Sequence, residues 1–503
     1  MERKKKIGIT LAIIIFLVIS GIAGAVYISA RIKTEIGSLL GNASSYKEID
    51  VDLFRQNIHI KDLNLILPGK YLSTPQLSLK GLSYYQYIKN DKLAFAAIEL
   101  DSPQFTVRPS KENKPQEKKS FNKEVQIKNF RITDGIFKLQ KSESSKNEIF
   151  FRFPDFEISG IRIDSTTLSK PVPFSYDSYA LKGDSLRINM NPEHFLAAKS
   201  LNVNNGNMTV KDFRIIPYYD PARFDQKIPY EKDRISLRVN ELRLDSLSFE
   251  MKHDTLFLKN PVLVVSGGDL EIYRNKTLPD DPRTKALYSK MLRESPVKLD
   301  FKKVSVQKSK IVYEEKVKTD RPAARISFND VQGNIENLLN TGLNRKEFPR
   351  TKIEARALFM GKTPVNIDWS FKVTNKNDKF LISGNFGTLT GETMNPFLKP
   401  SMGIEAEGSL NSVAFTFTGN DEILKGDVLV NYEQFKIDIM KDNGQKKSKI
   451  LSALANLFVD NDGLSKENSR KEIEVSRDKK KTFWNFVWLG LKQGVIEALV
   501  QVK

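Results

Sequence analysis

The stretch Val125-Gln-Ile127-Lys-Asn-Phe130-Arg-Ile132, followed after a short break by Phe137-Lys-Leu139, carries the pattern on which the fold turns. Its apolar residues alternate at a spacing of two, step once by three, and return to two. A spacing of two places side chains on one face of a β-strand. The step of three shifts the phase by one residue, as a β-bulge does. The longer gap before Phe137 has the size of a tight turn, so Phe137 and Leu139 are expected to begin a returning strand.

The same template recurs in Leu237-Arg-Val239-Asn-Glu-Leu242-Arg-Leu244 with Phe249-Glu-Met251. It recurs again in Leu299-Asp-Phe301-Lys-Lys-Val304-Ser-Val306 with Ile311-Val-Tyr313. Partial copies are Ile58, Ile60, Leu63 and Leu65; Leu77, Leu79 and Leu82; and Phe156, Ile158, Ile161 and Ile163. The intervals between copies are unequal, which excludes a tandem array of fixed period. A β-sandwich also alternates, but repetition of one bulged template favours a long curved antiparallel sheet. The fold class expected is mainly β, with an N-terminal transmembrane helix and a few peripheral helices. The apolar face of such a sheet needs a cover: another sheet, the same sheet curled over, or a ligand with apolar chains.

Outside the strands, Arg3, Lys4, Lys5 and Lys6 precede an apolar run from Ile7 to Ile28. A run of about 22 residues spans about 33 Å as a helix, enough for a bilayer core. The basic residues ahead of it outweigh Arg31 and Lys33, which leaves the N-terminus in the cytoplasm and sends the rest across. A cleaved signal peptide competes, because Ala23-Gly24-Ala25 resembles a cleavage site. The continuation of the run to Ile28 favours a retained anchor. Residues 32–45 have a helical, small-residue-rich character. Further helices are expected over Pro282–Glu294, with Asp280 and Asp281 as caps, and over Lys449–Val459 and Thr482–Val502. Arg108–Ser120, Lys441–Lys449 and Asn461–Lys481 are charged connectors by composition.

The chain of 503 residues has no Cys, three His and a formal net charge of +19. Absence of Cys excludes disulfides, thiolate metal sites and Cys nucleophiles. His59, His194 and His253 are far apart and make no metal-ligand spacing. No phosphate-binding Gly loop and no nucleophile elbow is present. No catalytic residue, metal site or cofactor is therefore expected; an enzyme reading would need a buried polar cluster that sequence does not reveal. The basic residues are spread along polar strand positions, among them Lys128, Arg131, Lys138, Arg238, Arg243, Lys302 and Lys308. That pattern is a solvated face, and it argues against nucleic acid as a partner. Near the C-terminus, Lys480 and Lys481 precede Trp484 and Trp488. That pairing suits a membrane interface, or equally a helix that caps the open end of the sheet.

One region carries a likeness to a known group. Phe386-Gly-Thr-Leu389, Met394-Asn395-Pro396-Phe397-Leu398-Lys-Pro400, Gly408-Ser-Leu410 and Phe415-Thr-Phe417-Thr418-Gly419-Asn420 lead through Tyr432 and Phe435-Lys-Ile437 to Leu451-Ser-Ala-Leu454. This stretch resembles the C-terminal region of the AsmA-like family of bacterial envelope proteins, to which TamB is related. The resemblance implies a repeating β-groove anchored in the inner membrane and projecting into the periplasm. It further implies phospholipids as partners and a part in their movement toward the outer membrane, with a periplasmic or outer-membrane protein at the far side. It implies no active-site residue. The best-studied transporters of the family are much longer, which leaves partner-assisted transfer, local lipid handling or an assembly role open.

The organisation expected is a cytoplasmic tail (1–6), transmembrane helix (7–28), membrane-proximal stalk (29–47), repetitive β body (48–379), AsmA-like region (380–460), charged linker (461–481) and C-terminal amphipathic helix (482–503). The groove lining expected is Val125, Ile127, Phe130, Ile132, Leu237, Val239, Leu242, Leu244, Phe301 and Val304. The function expected is binding of lipid acyl chains in support of phospholipid transport or outer-membrane homeostasis. The alternative is a non-transporting scaffold for the assembly of outer-membrane proteins, in which the same residues form a closed core.

Overall fold

A computed structural model describes residues 44–52, 55–90, 92–108, 124–142, 146–168, 170, 172–252, 255–439 and 467–499. The expected cytoplasmic tail, transmembrane helix, most of the stalk and the helix over Lys449–Val459 lie outside the described residues. Among the described residues, no helix is long and apolar enough to cross a membrane.

The protein is mainly β, built on a large mixed sheet. Its first strands are β1 (Ser44–Ser45), β2 (Glu48–Asp52), β3 (Asn57–Leu67), β4 (Lys70–Leu82), β5 (Lys92–Asp101), β6 (Gln104–Val107), β7 (Glu124–Gln140) and β8 (Asn147–Ile163). Shorter strands follow: β9 (Ser178–Gly183), β10 (Ser185–Asn189), β11 (His194–Ala198), β12 (Ser200–Asn204) and β13 (Asn207–Pro217). Then come β14 (Arg234–Asp245), β15 (Ser248–Lys252), β16 (Thr255–Asn275), β17 (Lys298–Lys316), β18 (Ala324–Leu339), β19 (Thr351–Phe359) and β20 (Thr363–Phe371). The last are β21 (Phe380–Phe386), β22 (Leu389–Thr390), β23 (Ile404–Gly419), β24 (Ile423–Ile439) and β25 (Glu467–Ser476). The helices are α1 (Tyr84–Asn90), α2 (Pro221–Lys227), α3 (Tyr288–Arg293), α4 (Gly391–Met402) and α5 (Phe483–Leu499). The chain divides into two compact units, Met1–Phe213 with Arg243–Phe257, and Arg214–Leu242 with Leu258–Lys503.

In the first unit the template's step of three is matched between neighbours. Ile127 pairs with Ile161 and Phe130 with Ile158, so the steps in β7 and β8 face each other. Phe95 and Ile98 of β5 sit beside Ile127 and Phe130. Leu82 and Leu79 of β4 sit beside Phe95 and Ile98. No register is lost, so this is not the one-sided bulge expected from sequence. All four strands change phase along one line, and all eight apolar residues stay buried. Gly81 (φ 63°) and Gly160 (φ 64°) supply the left-handed backbone the line needs.

A second line crosses the same strands where a hairpin turn was expected. The strand β7 runs on without reversing through Asp134 (φ 51°), which falls opposite Pro154 of β8. Asp62 (φ 52°) of β3 falls in the same way opposite Pro75 of β4. Between these pairs, Ser102-Pro103 interrupts β5 and β6 at the same level. The tenth position of each full template copy is left-handed: Asp134, Ser246 (φ 55°) and Lys308 (φ 48°). In β7 the left-handed residue re-phases the strand, so Phe137 at the thirteenth position returns to the apolar face while the chain keeps its direction; Phe249, the thirteenth position of the second copy, is instead 60% exposed.

Other expectations are corrected by local chemistry. The sheet is mixed, because β5 and β6 run parallel to β7. Residues 108–123 connect β6 to β7 and are long enough for that return. Ser44–Ser45 is a strand, not the end of a helix. Glu467–Ser476 lies in the expected charged linker but pairs with β24, its Ile473 and Val475 alternating with charged residues. Gly267, at φ 66°, is an irregularity inside β16.

Candidate functional site

In the second unit, one row of apolar residues crosses eight strands. Val304 pairs with Ile335, Ile335 with Ile353, Ile353 with Trp369 and Trp369 with Ile382. The row continues through Phe417 and Gly426 to Ile473. Strand spacing gives it a length of about 34 Å.

Helix α5 covers the far half of this row. A Cβ on Gly490 would lie 2.8 Å from Leu424 and 3.4 Å from Ile473 and from Phe417. A Cβ on Gly494 would lie 2.3 Å from Val428. Two glycines one turn apart thus let the helix backbone settle onto β24. At the helix start, Phe483 stacks on Trp369 with ring centroids 4.6 Å apart and planes 17° apart. Phe483 also meets Phe380 edge-on at 5.1 Å, while Tyr288 stands edge-on to Trp369 at 5.2 Å.

The near half of the row is less covered. Ile335 and Ile353 are half-buried. Between α3 and strands β18 to β20 lies a cavity of about 350 Å³, lined by Tyr288, Met291, Ile335, Ile353, Trp369 and Phe371 among others. Met291 is 55% exposed and Tyr288 39%, so the mouth is apolar as well as the walls. The lining hydroxyls of Ser295 and Thr351 are already spent, donating to the carbonyls of Val297 (3.0 Å) and Asn337 (2.9 Å). The cavity therefore favours hydrocarbon.

The residues expected to line a groove divide by unit. Val125, Ile127, Phe130 and Ile132 are at most 1% exposed and belong to the core of the first unit. Leu244, also in the first unit, is half-buried; in the second unit Val239 and Val304 are buried, and Leu237, Leu242 and Phe301 are half-buried. Val304 is the one that stands in the apolar row. Residues of the cavity such as Tyr288, Met291 and Leu292 were not singled out by the template. Their signal was their spacing of three and four within the expected helix.

The expected interface residues have distinct surroundings. Trp484 is 49% exposed and Lys480 is exposed. Trp488 is half-buried against Phe397 of α4, centroids 5.4 Å apart. Lys481 binds Glu231 at 2.9 Å and also binds Asp280. Burial pulls its ammonium down, but those two carboxylates outweigh this and raise it. Lys492 of α5 is held below its usual range by burial and by Lys276.

A polar cluster lies in the same unit. Tyr273 and Asn275 donate to one oxygen of Asp225 at 3.0 and 2.7 Å. Arg274 donates to Asp233 at 2.7 Å, and Glu315 accepts from Tyr313 at 3.0 Å and pairs with Lys276 at 2.7 Å. Burial first, then the adjacent carboxylates, push the hydroxyls of Tyr273 and Tyr313 up, which keeps them protonated. Arg283 beside Asp281 holds that carboxyl down at about 2. These contacts tie strand ends to α2 and to loops; none aims a base at a nucleophile. Among the described residues, no three His, Asp or Glu side chains are grouped to hold a metal ion. No family model and no curated protein matches the chain.

Proposed function

We propose that the protein binds lipid acyl chains on the less covered near half of the apolar row of its second unit. In this reading Ile7–Ile28 anchors it in the inner membrane, the β structure faces the periplasm, and the protein supports phospholipid transport or outer-membrane homeostasis. The carrying observation is the 350 Å³ cavity on an apolar row, with the hydroxyls of Ser295 and Thr351 already satisfied. A contiguous apolar surface of this kind marks an interaction site, and a hydrocarbon chain is the ligand that loses nothing by entering it. The likeness of residues 380–460 to the AsmA-like family supports the same reading.

The closed core of the first unit favours a supporting part for that unit, and a scaffold for outer-membrane assembly is the second reading. One experiment separates them. The full chain is extracted from its membrane in mild detergent, purified, and its organic extract analysed by mass spectrometry. Phospholipid in near-stoichiometric amount is expected; a lipid-free protein would sink the acyl-chain reading and leave the scaffold.

A further inference from the structure

The apolar row does not end where the cavity ends. It runs on through Ile382 and Phe417, whereas the cavity lining ends at Trp369 and Phe371, and Phe483 lies flat on the Trp369 ring. Tyr288, which lines the cavity, and Trp484 stand edge-on to Trp369 at 5.2 and 5.7 Å. Beyond this wall the row belongs to α5, which Gly490 and Gly494 seat too closely to leave room for a chain.

We propose that Phe483 stacked on Trp369 is a chain stop: it fixes how much of one acyl chain the cavity accepts, and so sets chain-length preference. The proposal rests on the acyl-chain reading above. The occupant is one lipid chain, because 350 Å³ admits a hydrocarbon chain but not a helix about 10 Å wide, and the exposed lining is almost wholly apolar, the hydroxyls of Ser295 and Thr351 being already bonded and the indole N–H of Trp369 buried. Each methylene that enters adds about fourfold in affinity until the chain end meets the wall. Further methylenes then stay outside and add nothing.

The test uses the full chain and a graded series of saturated phosphatidylglycerols, dilauroyl to distearoyl, with affinity read by native mass spectrometry. Affinity is expected to climb with length and then level off. Phe483→Ala shifts the levelling point to longer chains. Phe483 is buried, so a second variant guards against loss of the fold: Ile335→Trp, at a half-exposed lining position, shifts the levelling point to shorter chains. Binding with the same levelling point in every variant overturns the chain stop and leaves acyl-chain binding standing. No binding of any member of the series overturns both. A lipid-free chain that dimerises through this face assigns it to a second copy instead.

Discussion

Lys308 has φ 48° in the middle of β17, where its Cβ crowds the following carbonyl. Left-handed backbone costs a non-glycine residue about 1–2 kcal/mol. Glycine removes that cost but loses about 0.5–1 kcal/mol to its own freedom in the unfolded chain. Lys308→Gly is therefore expected to raise stability by up to about 1 kcal/mol, seen as a higher urea midpoint. Lys308→Val is expected to lower it by more than about 1 kcal/mol, since a β-branched residue tolerates this region worst. If glycine is no better than lysine, the left-handed backbone at Lys308 carries no strain. Asp134 and Ser246 hold the same template position, and both are ordinary turn residues. Lysine carries no such signal, which is why the sequence suggested a gap sized for a turn and gave no warning that the strand continues through it.

At the scale of elements, regular strands were legible and their interruptions were not. Alternation located the strands because burial on one face enforces it. Whether a phase step is one-sided or matched depends on the partner strand, which local sequence does not contain. Helices show the same division. The start of α5 was legible to within a residue. Helix α3 is shorter than Pro282–Glu294, because Asp281 accepts from the backbone N–H of Arg283 at 3.1 Å and holds a turn there. Helix α4 was missed because Pro396 and Pro400 argue against it. Its signal was the pair Thr390 and Thr393, which cap each other reciprocally.

The glycines of α5 offer a test at this scale. Gly494→Ala would place Cβ 2.3 Å from Val428, a side chain that is 0% exposed. Overpacking of this kind costs about 1–3 kcal/mol. Gly490→Ala meets Leu424 at 2.8 Å, a longer approach to the end of a flexible side chain, and is expected to cost less. The two are compared by thermal melting. Equal melting points would mean that α5 does not sit on β24 through Gly494.

Across the whole molecule, one apolar pattern serves two purposes that sequence cannot separate. Ile127 and Ile335 both occupy inward positions of alternating strands, yet Ile127 is 1% exposed and Ile335 is half-buried. What covers each is set by distant segments, so template residues of the first unit looked identical to a groove lining. The difference predicts opposite outcomes for one substitution. Ile127→Glu buries a carboxylate without a partner, among the few changes that cost more than about 4 kcal/mol, and the chain should fail to fold or melt far below the parent. Ile335→Glu leaves the new carboxylate within reach of water at the cavity wall. It should lose about 1 kcal/mol or less and keep its fold by circular dichroism, while its bound phospholipid disappears from the organic extract. If Ile335→Glu retains lipid, the chains lie elsewhere; if Ile127→Glu folds and loses lipid, the groove is in the first unit after all.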